Sequence, residues 1–190
     1  MIRSLDKEKA KIVLFEIKEI LDKLGIEFWL LHGTCLGIYR DGDFCDGDND
    51  MDLGVKHEII ISRMDELKSV FQEYSYHIVT VLSPYRYERA IRVKKSGIKT
   101  DILDWALNGS DRFCPHDKKN FCQGYKAFLF ENMSTIKFHD REFLVPTPVE
   151  KYLEASYGKT WRVPQSRFFK KLCRVSGYWL KTSFSKNKEK

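Results

Sequence analysis

Six aspartates, Asp41, Asp43, Asp46, Asp48, Asp50 and Asp52, fall within the twelve positions from 41 to 52. Carboxylates so crowded repel one another. A folded chain keeps them only where solvent, Lys or Arg, or a bound cation offsets the repulsion. The last two stand in Asp50-Met51-Asp52-Leu53-Gly54-Val55, an alternation that reads as a strand with both carboxylates on one face. Two carboxylates at i and i+2 on a rigid strand suit a hard divalent ion, Mg2+ or in its place Mn2+. Such an ion takes one or two protein carboxylates and leaves its other positions to water and substrate phosphate. A calcium loop fits less well: started at Asp46, it would place Met51 where the turn glycine belongs and His57 where the final glutamate belongs.

The residues just upstream supply the other half of a phosphate site. Ile26 to Leu31 reads as a strand broken at His32-Gly33-Thr34, and a short helix from Thr34 to about Arg40 would point its free N–H groups at that turn. A helix start of this kind binds anions. A phosphate held by Gly33 and Thr34, beside an ion held by Asp50 and Asp52, is a layout for phosphoryl or nucleotidyl transfer. Arg40 would add a bidentate phosphate donor or else pair with a neighbouring aspartate. Arg89, Arg92 and Lys94 stand at near-alternate positions on a later strand, and one of them, with Arg92 the choice, would reach a diphosphate.

The order of hydrophobic strand, Gly-Thr turn, short helix and Asp-x-Asp strand resembles the polymerase-β-like nucleotidyltransferase fold. More narrowly, Gly33-Thr34-Cys35-Leu36-Gly37, Arg40, Asp48-Asn49-Asp50-Met51-Asp52 and a distal Tyr152-Leu153-Glu154, Tyr157-Gly158-Lys159-Thr160-Trp161 and Pro164 are similar to the LicD/fukutin family. The similarity runs from about Gly25 to Pro164. It departs where the family has a hydrophobic-Pro-Trp lead into its aspartates, for here the lead is Phe44-Cys45-Asp46-Gly47. The resemblance implies an α+β fold, a mixed sheet flanked by helices. It also implies a third aspartate on a strand beside the Asp-x-Asp strand, which Asp101 fits best and Asp104 second. That carboxylate would join the metal shell or take the acceptor's proton. The implied reaction moves a phospho-alcohol (phosphocholine, ribitol phosphate or glycerol phosphate) from a CDP-linked donor to a hydroxyl of a glycan or phosphorylated glycan. The alternatives are transfer of a nucleoside monophosphate from an NTP to a small molecule, glycan or protein, and a non-catalytic membrane- or nucleic-acid-binding module. Nucleic acid is not the expected partner.

Around these residues the chain reads as one domain over 1–164 with a basic amphipathic helical extension over 165–190. At 190 residues and 43% hydrophobic it can bury one substantial core. Ala10, Val13, Leu14, Ile17, Ile20, Leu21 and Leu24 predict a helix from a Ser4 cap to a Gly25 stop. A second helix is expected over 59–74, with strands over 76–82, 87–94 and 98–107. Residues 108–124 have no period and read as an acceptor loop or lid, without the ligand spacing of a zinc site. Strands are expected at 128–130 and in a hairpin over 134–145, then a helix capped by Thr147 and running to Tyr157. In the last segment Phe168, Leu172, Val175 and Trp179 share one helical face, suited to an anionic membrane surface or to capping the core. The net charge of +6 favours anionic partners. Five cysteines without a Cys-x-x-Cys pair, and no apolar leader or run of about 18 apolar residues, point to a reducing, cytoplasmic setting with peripheral membrane contact at most.

Overall fold

A computed structural model describes residues 4–82, 88–115, 121–164 and 179–181. Helix α1 (Lys7–Lys23) starts two residues later than a Ser4 cap would put it, because Asp6 is the cap: its side chain accepts the Lys9 N–H at 3.2 Å. Its apolar stripe, Ala10 through Leu21, is buried, and each large side chain in it contributes about 1.5–3 kcal/mol against exposure. Strand β1 (Phe28–Leu30), α2 (His32–Asp41), β2 (Met51–Lys56) and α3 (His57–Glu73) follow. Then come β3 (His77–Leu82), β4 (Glu88–Lys95), β5 (Ile98–Asn108), β6 (Asp111–Pro115) and β7 (Phe121–Lys126). A hairpin of β8 (Ser134–Phe138) and β9 (Arg141–Val145), helix α4 (Val149–Tyr157) and β10 (Trp179–Lys181) complete the described elements.

The strands form one mixed sheet in the order β10-β7-β6-β5-β2-β1-β9-β8, with β4 also on β5 and β3 on β4. The β2–β5 and β1–β9 pairs are parallel and the rest antiparallel. Alternation divides the side chains between two layers. Met51, Leu53, Val55 and Ile102 face α1 and α3. Trp29, Gly54 and Trp105 face α2, α4 and a 3-10 turn at Ala127–Phe130, where Trp105, Phe130, Tyr125 and Tyr152 pack ring against ring. This is the α+β arrangement, a mixed sheet flanked by helices, that the pattern implied.

Three segments differ from expectation. Residues 108–124 are not a loop throughout. Strand β5 runs on, its last residues Ala106–Asn108 pair with β6, and β6 pairs with β7. Backbone ladders of this kind need no apolar alternation, so periodicity missed them. The sequence 128–130 lies in the 3-10 turn rather than a strand, which buries Ala127, Leu129 and Phe130 together. Of the expected C-terminal helix only Trp179–Lys181 are described, and they form a strand on the open edge of β7, whose unpaired backbone groups accept any extended segment. The rest of that helix, His116 and the turn at Ser83-Pro84 lie outside the described residues. Among the described residues no helix is long and apolar enough to cross a membrane.

Gly54 is fixed by packing. A Cβ there would stand 2.3 Å from the Trp29 indole nitrogen and 2.9 Å from a Leu31 methyl. Gly54→Ala is expected to cost about 1–3 kcal/mol, read as a lower urea midpoint; an unchanged midpoint would mean that the Trp29 layer is loosely packed.

Candidate active site

The crowding of the acidic loop is resolved by dispersing its charges. Arg40 grips Asp41 through Nε and Nη2, both at 2.7 Å. Lys7 on α1 meets Asp43 at 3.2 Å and Asp46 at 2.8 Å. Lys99 on β5 lies 3.4 Å from Asp50. Asp52 differs: among the described residues no cation stands within ion-pair reach of it. Burial pushes its carboxyl well above the usual range, and the charges of Asp50, Asp101 and Asp48 push the same way, with Arg92 opposing.

Asp52 is held by both of its backbone groups. Its N–H donates to the Thr34 hydroxyl at 2.9 Å, and its carbonyl accepts from the Leu31 N–H at 3.0 Å. Both partners belong to the start of α2, so the carboxylate and the helix start move as one. Helix α2 begins at His32, two residues before the expected Thr34. Its first internal bond is Cys35 N–H to Leu31 O, which leaves the N–H groups of Gly33 and Thr34 in the first turn without helical acceptors. The Tyr152 hydroxyl accepts from the His32 N–H at 2.9 Å. Gly33 has a reason beyond ligand approach: the Asp48 Oδ2 lies 2.0 Å from where its Cβ would be.

Register brings the distant aspartate in. Asp52 on β2 is the Cα partner of Asp101 on β5, and Asp101 is the partner of Arg92 on β4, so three side chains form one row on one face. Arg92 bonds both Asp101 oxygens, Nε to Oδ1 at 2.5 Å and Nη2 to Oδ2 at 2.6 Å. Asp104, three residues on, points to the opposite face. It is fully buried and meets His57 Nδ1, at the start of α3, at 2.7 Å. The structure thus sets Asp101, not Asp104, beside Asp52.

Arg40 is not placed as a phosphate clamp. Besides Asp41 it bonds the Trp161 carbonyl at 3.0 Å and the Cys45 sulfur at 3.7 Å, and its side chain is only 13% exposed. It ties the distal Trp161 block to α2, while Trp161 packs on Tyr39 at 6.0 Å. Three residues enter that spacing alone did not single out. Asp48 lies against Gly33. Lys99 precedes Asp101 by two on the same face, a signal readable once the strand is known. Tyr157 has a hydroxyl pKa pushed well up by burial and then by the charges of Asp52, Tyr125 and Asp48.

The donors suit a hard dication: Asp52 on β2, its charge disfavoured by burial and like neighbours, and Asp50 just ahead of the strand, beside a helix start. Among the described residues no three His, Cys, Asp or Glu groups already stand close enough to hold an ion by themselves. Water and substrate oxygens would therefore complete a shell anchored on Asp50 and Asp52.

A family model described as LicD/FKTN/FKRP, nucleotidyltransferase domain, matches residues 25–148. Ribitol-5-phosphate transferase FKTN of Homo sapiens is 28% identical over 172 residues, covering 83% of this chain and 34% of that protein. The chain spans about a third of the length of such relatives. Among solved structures, the lincomycin-bound lincosamide antibiotic adenylyltransferase LnuA superposes with a TM-score of 0.51 at 15% identity, over 74% of this chain and 81% of that one. The antibiotic-resistance factor ANT(2'')-Ia gives 0.55 at 12%, over 89% and 83%. At such identities the likeness shows the fold, which is nucleotidyltransferase-like.

The raised pKa of Asp52 has a sign that stability can read. The folded state holds the proton more tightly than the unfolded one, so stability falls as pH rises from about 4 through the folded pKa. In buffer containing a chelator, Asp52→Asn is expected to melt above the wild type at pH 8. The gap should close as pH falls to about 4. A variant that melts below the wild type at pH 8 would contradict the strained carboxylate.

Proposed function

The chain belongs to the LicD/FKTN/FKRP family and carries its nucleotidyltransferase domain, and from that premise we propose that it is a divalent-metal-dependent phosphotransferase. It takes a phospho-alcohol, with ribitol phosphate first and glycerol phosphate or phosphocholine as alternatives, from a CDP-linked donor to a hydroxyl of a glycan or phosphorylated glycan. The observation that supports this most is the row of Asp52 and Asp101 in register, with Asp50 beside it, set against the start of α2.

The acceptor oxygen forms a bond to the phosphorus that bears the alcohol, and that phosphorus loses its bond to the bridging oxygen. The products are CMP, which leaves with the bridging oxygen, and the phosphodiester; the hydroxyl's proton is released. Asp50 and Asp52 would hold Mg2+ or Mn2+, which when bound supplies positive charge to the diphosphate oxygens. The N–H groups of Gly33 and Thr34 donate to phosphate oxygens as charge builds on them. Thr34 also fixes the distance between those donors and Asp52 through the bond from the Asp52 N–H. Trp161, through Arg40, holds α2 in place.

The test is incubation with CDP-ribitol, CDP-glycerol and CDP-choline labelled in the alcohol, and with CTP and ATP labelled in the α-phosphate, each with Mg2+ and a glycan acceptor. Alcohol label should reach the acceptor. Asp50→Asn and Asp52→Asn should each lower transfer by about 100-fold or more with the melting transition retained. Transfer of nucleotide label instead would establish nucleotidyl transfer, and wild-type turnover by Asp52→Asn would remove the metal site from the mechanism.

A further inference from the structure

The Arg92–Asp101 pair decides a role that the row of carboxylates leaves ambiguous. A guanidinium has two bonding edges, one formed by Nε and one Nη, the other by both Nη nitrogens. Asp101 takes the first edge with both oxygens, at 2.5 and 2.6 Å, and among the described residues Arg92 bonds nothing else. Its second edge is left for a ligand, and the side chain is 42% exposed while that of Asp101 is 15% exposed. A carboxylate that serves an ion must turn a lone pair to it. Asp101 already turns one lone pair of each oxygen to a planar, charge-assisted fork, and the guanidinium charge beside it lowers its pull on a cation. Asp50, by contrast, has one lysine at 3.4 Å, and Asp52 has no cation in reach among the described residues.

We propose that Asp101 is a positioning residue and not a metal ligand: it clamps one edge of Arg92 so that the other faces the diphosphate of the donor beside Asp50 and Asp52. This rests on the phosphotransferase reading above and gives that site a second anion contact, across the acidic row from the Gly33 turn. Val79 on β3, the register partner of Arg92, is 44% exposed, so among the described residues no helix covers this side of the row. Lys94, the next residue on the Arg92 face of β4, is also exposed and stands beside Lys99 in register. Positive charge therefore borders the carboxylates on this side, where an anionic ligand on the ion would meet it.

The experiment separates the ion from the anion by titrating the full chain with Mn2+ alone and with inorganic pyrophosphate in the presence of Mg2+. Asp101→Asn should leave Mn2+ affinity within about twofold and weaken pyrophosphate about tenfold or more, whereas Asp52→Asn loses Mn2+ binding. Arg92→Lys, which keeps the charge and loses the fork, should behave like Asp101→Asn. The double variant should be no worse than either single one by more than about twofold, because both break one unit. Loss of Mn2+ by Asp101→Asn to the extent seen for Asp52→Asn would overturn the assignment, as would pyrophosphate binding left intact. If Asp101→Asn melts too early to titrate, Arg92→Lys decides: unchanged Mn2+ affinity with weakened pyrophosphate supports the clamp. A rise in Mn2+ affinity of about tenfold would show that the released Asp101 joins the ion. A wild type that binds neither probe would bring down the phosphotransferase reading itself, and this assignment with it.

Discussion

Asp52 is a carboxylate that cannot move away from its like-charged neighbours. Its N–H is bonded to Thr34 and its carbonyl to the Leu31 N–H, and its neighbour across the parallel β2–β5 ladder is Asp101. Strands about 4.8 Å apart leave such a pair no room to separate without breaking the ladder. The rest of the acidic loop relaxes around this point, with Lys7, Arg40 and Lys99 each drawing off the aspartates within reach. Repulsion thus remains concentrated on one fixed group, and a fixed, desolvated charge is what a site needs if a dication is to bind it strongly and stay in register with a helix start.

Much of the fold serves to keep that register. Gly54 lets the Trp29 indole close onto β2 two residues from Asp52, and the Trp29, Trp105, Phe130, Tyr125 and Tyr152 rings fill the layer behind the turn. Tyr152 reaches from α4 to accept the first N–H of α2, and Arg40 reaches from α2 to the Trp161 carbonyl. The distal Tyr-Gly-Trp block, remote in sequence from the aspartates, therefore acts as a brace for the phosphate turn.

How much of this was legible depended on whether a feature is local. The Asp50 and Asp52 pair, the Gly33-Thr34 turn and the amphipathic stripes of α1 and α3 rest on spacing along one element, and their elements are found within a few residues of expectation. Asp101 was reachable only through the family resemblance, since register between β2 and β5 is a property of pairing. The same holds for the fate of Arg40, expected as either a phosphate donor or an ion-pair partner; its neighbour Asp41 and the Trp161 carbonyl claim it. The β6–β7 hairpin escaped because ladder bonds, not an apolar face, define it. Ala127–Phe130 tightened into a 3-10 turn because three of its four side chains bury together, which an extended strand would not permit.

The central claim is that the strain on Asp52 is relieved by a divalent cation. It is tested most directly by melting the wild type and Asp52→Asn at pH 7.5 with a chelator and then with Mg2+ in excess. Binding to the folded state alone adds about 2.7 kcal/mol at a hundredfold excess over Kd. The wild type should therefore melt at a clearly higher temperature with Mg2+, while Asp52→Asn does not respond. Equal responses from the two proteins, or none from either, would contradict it.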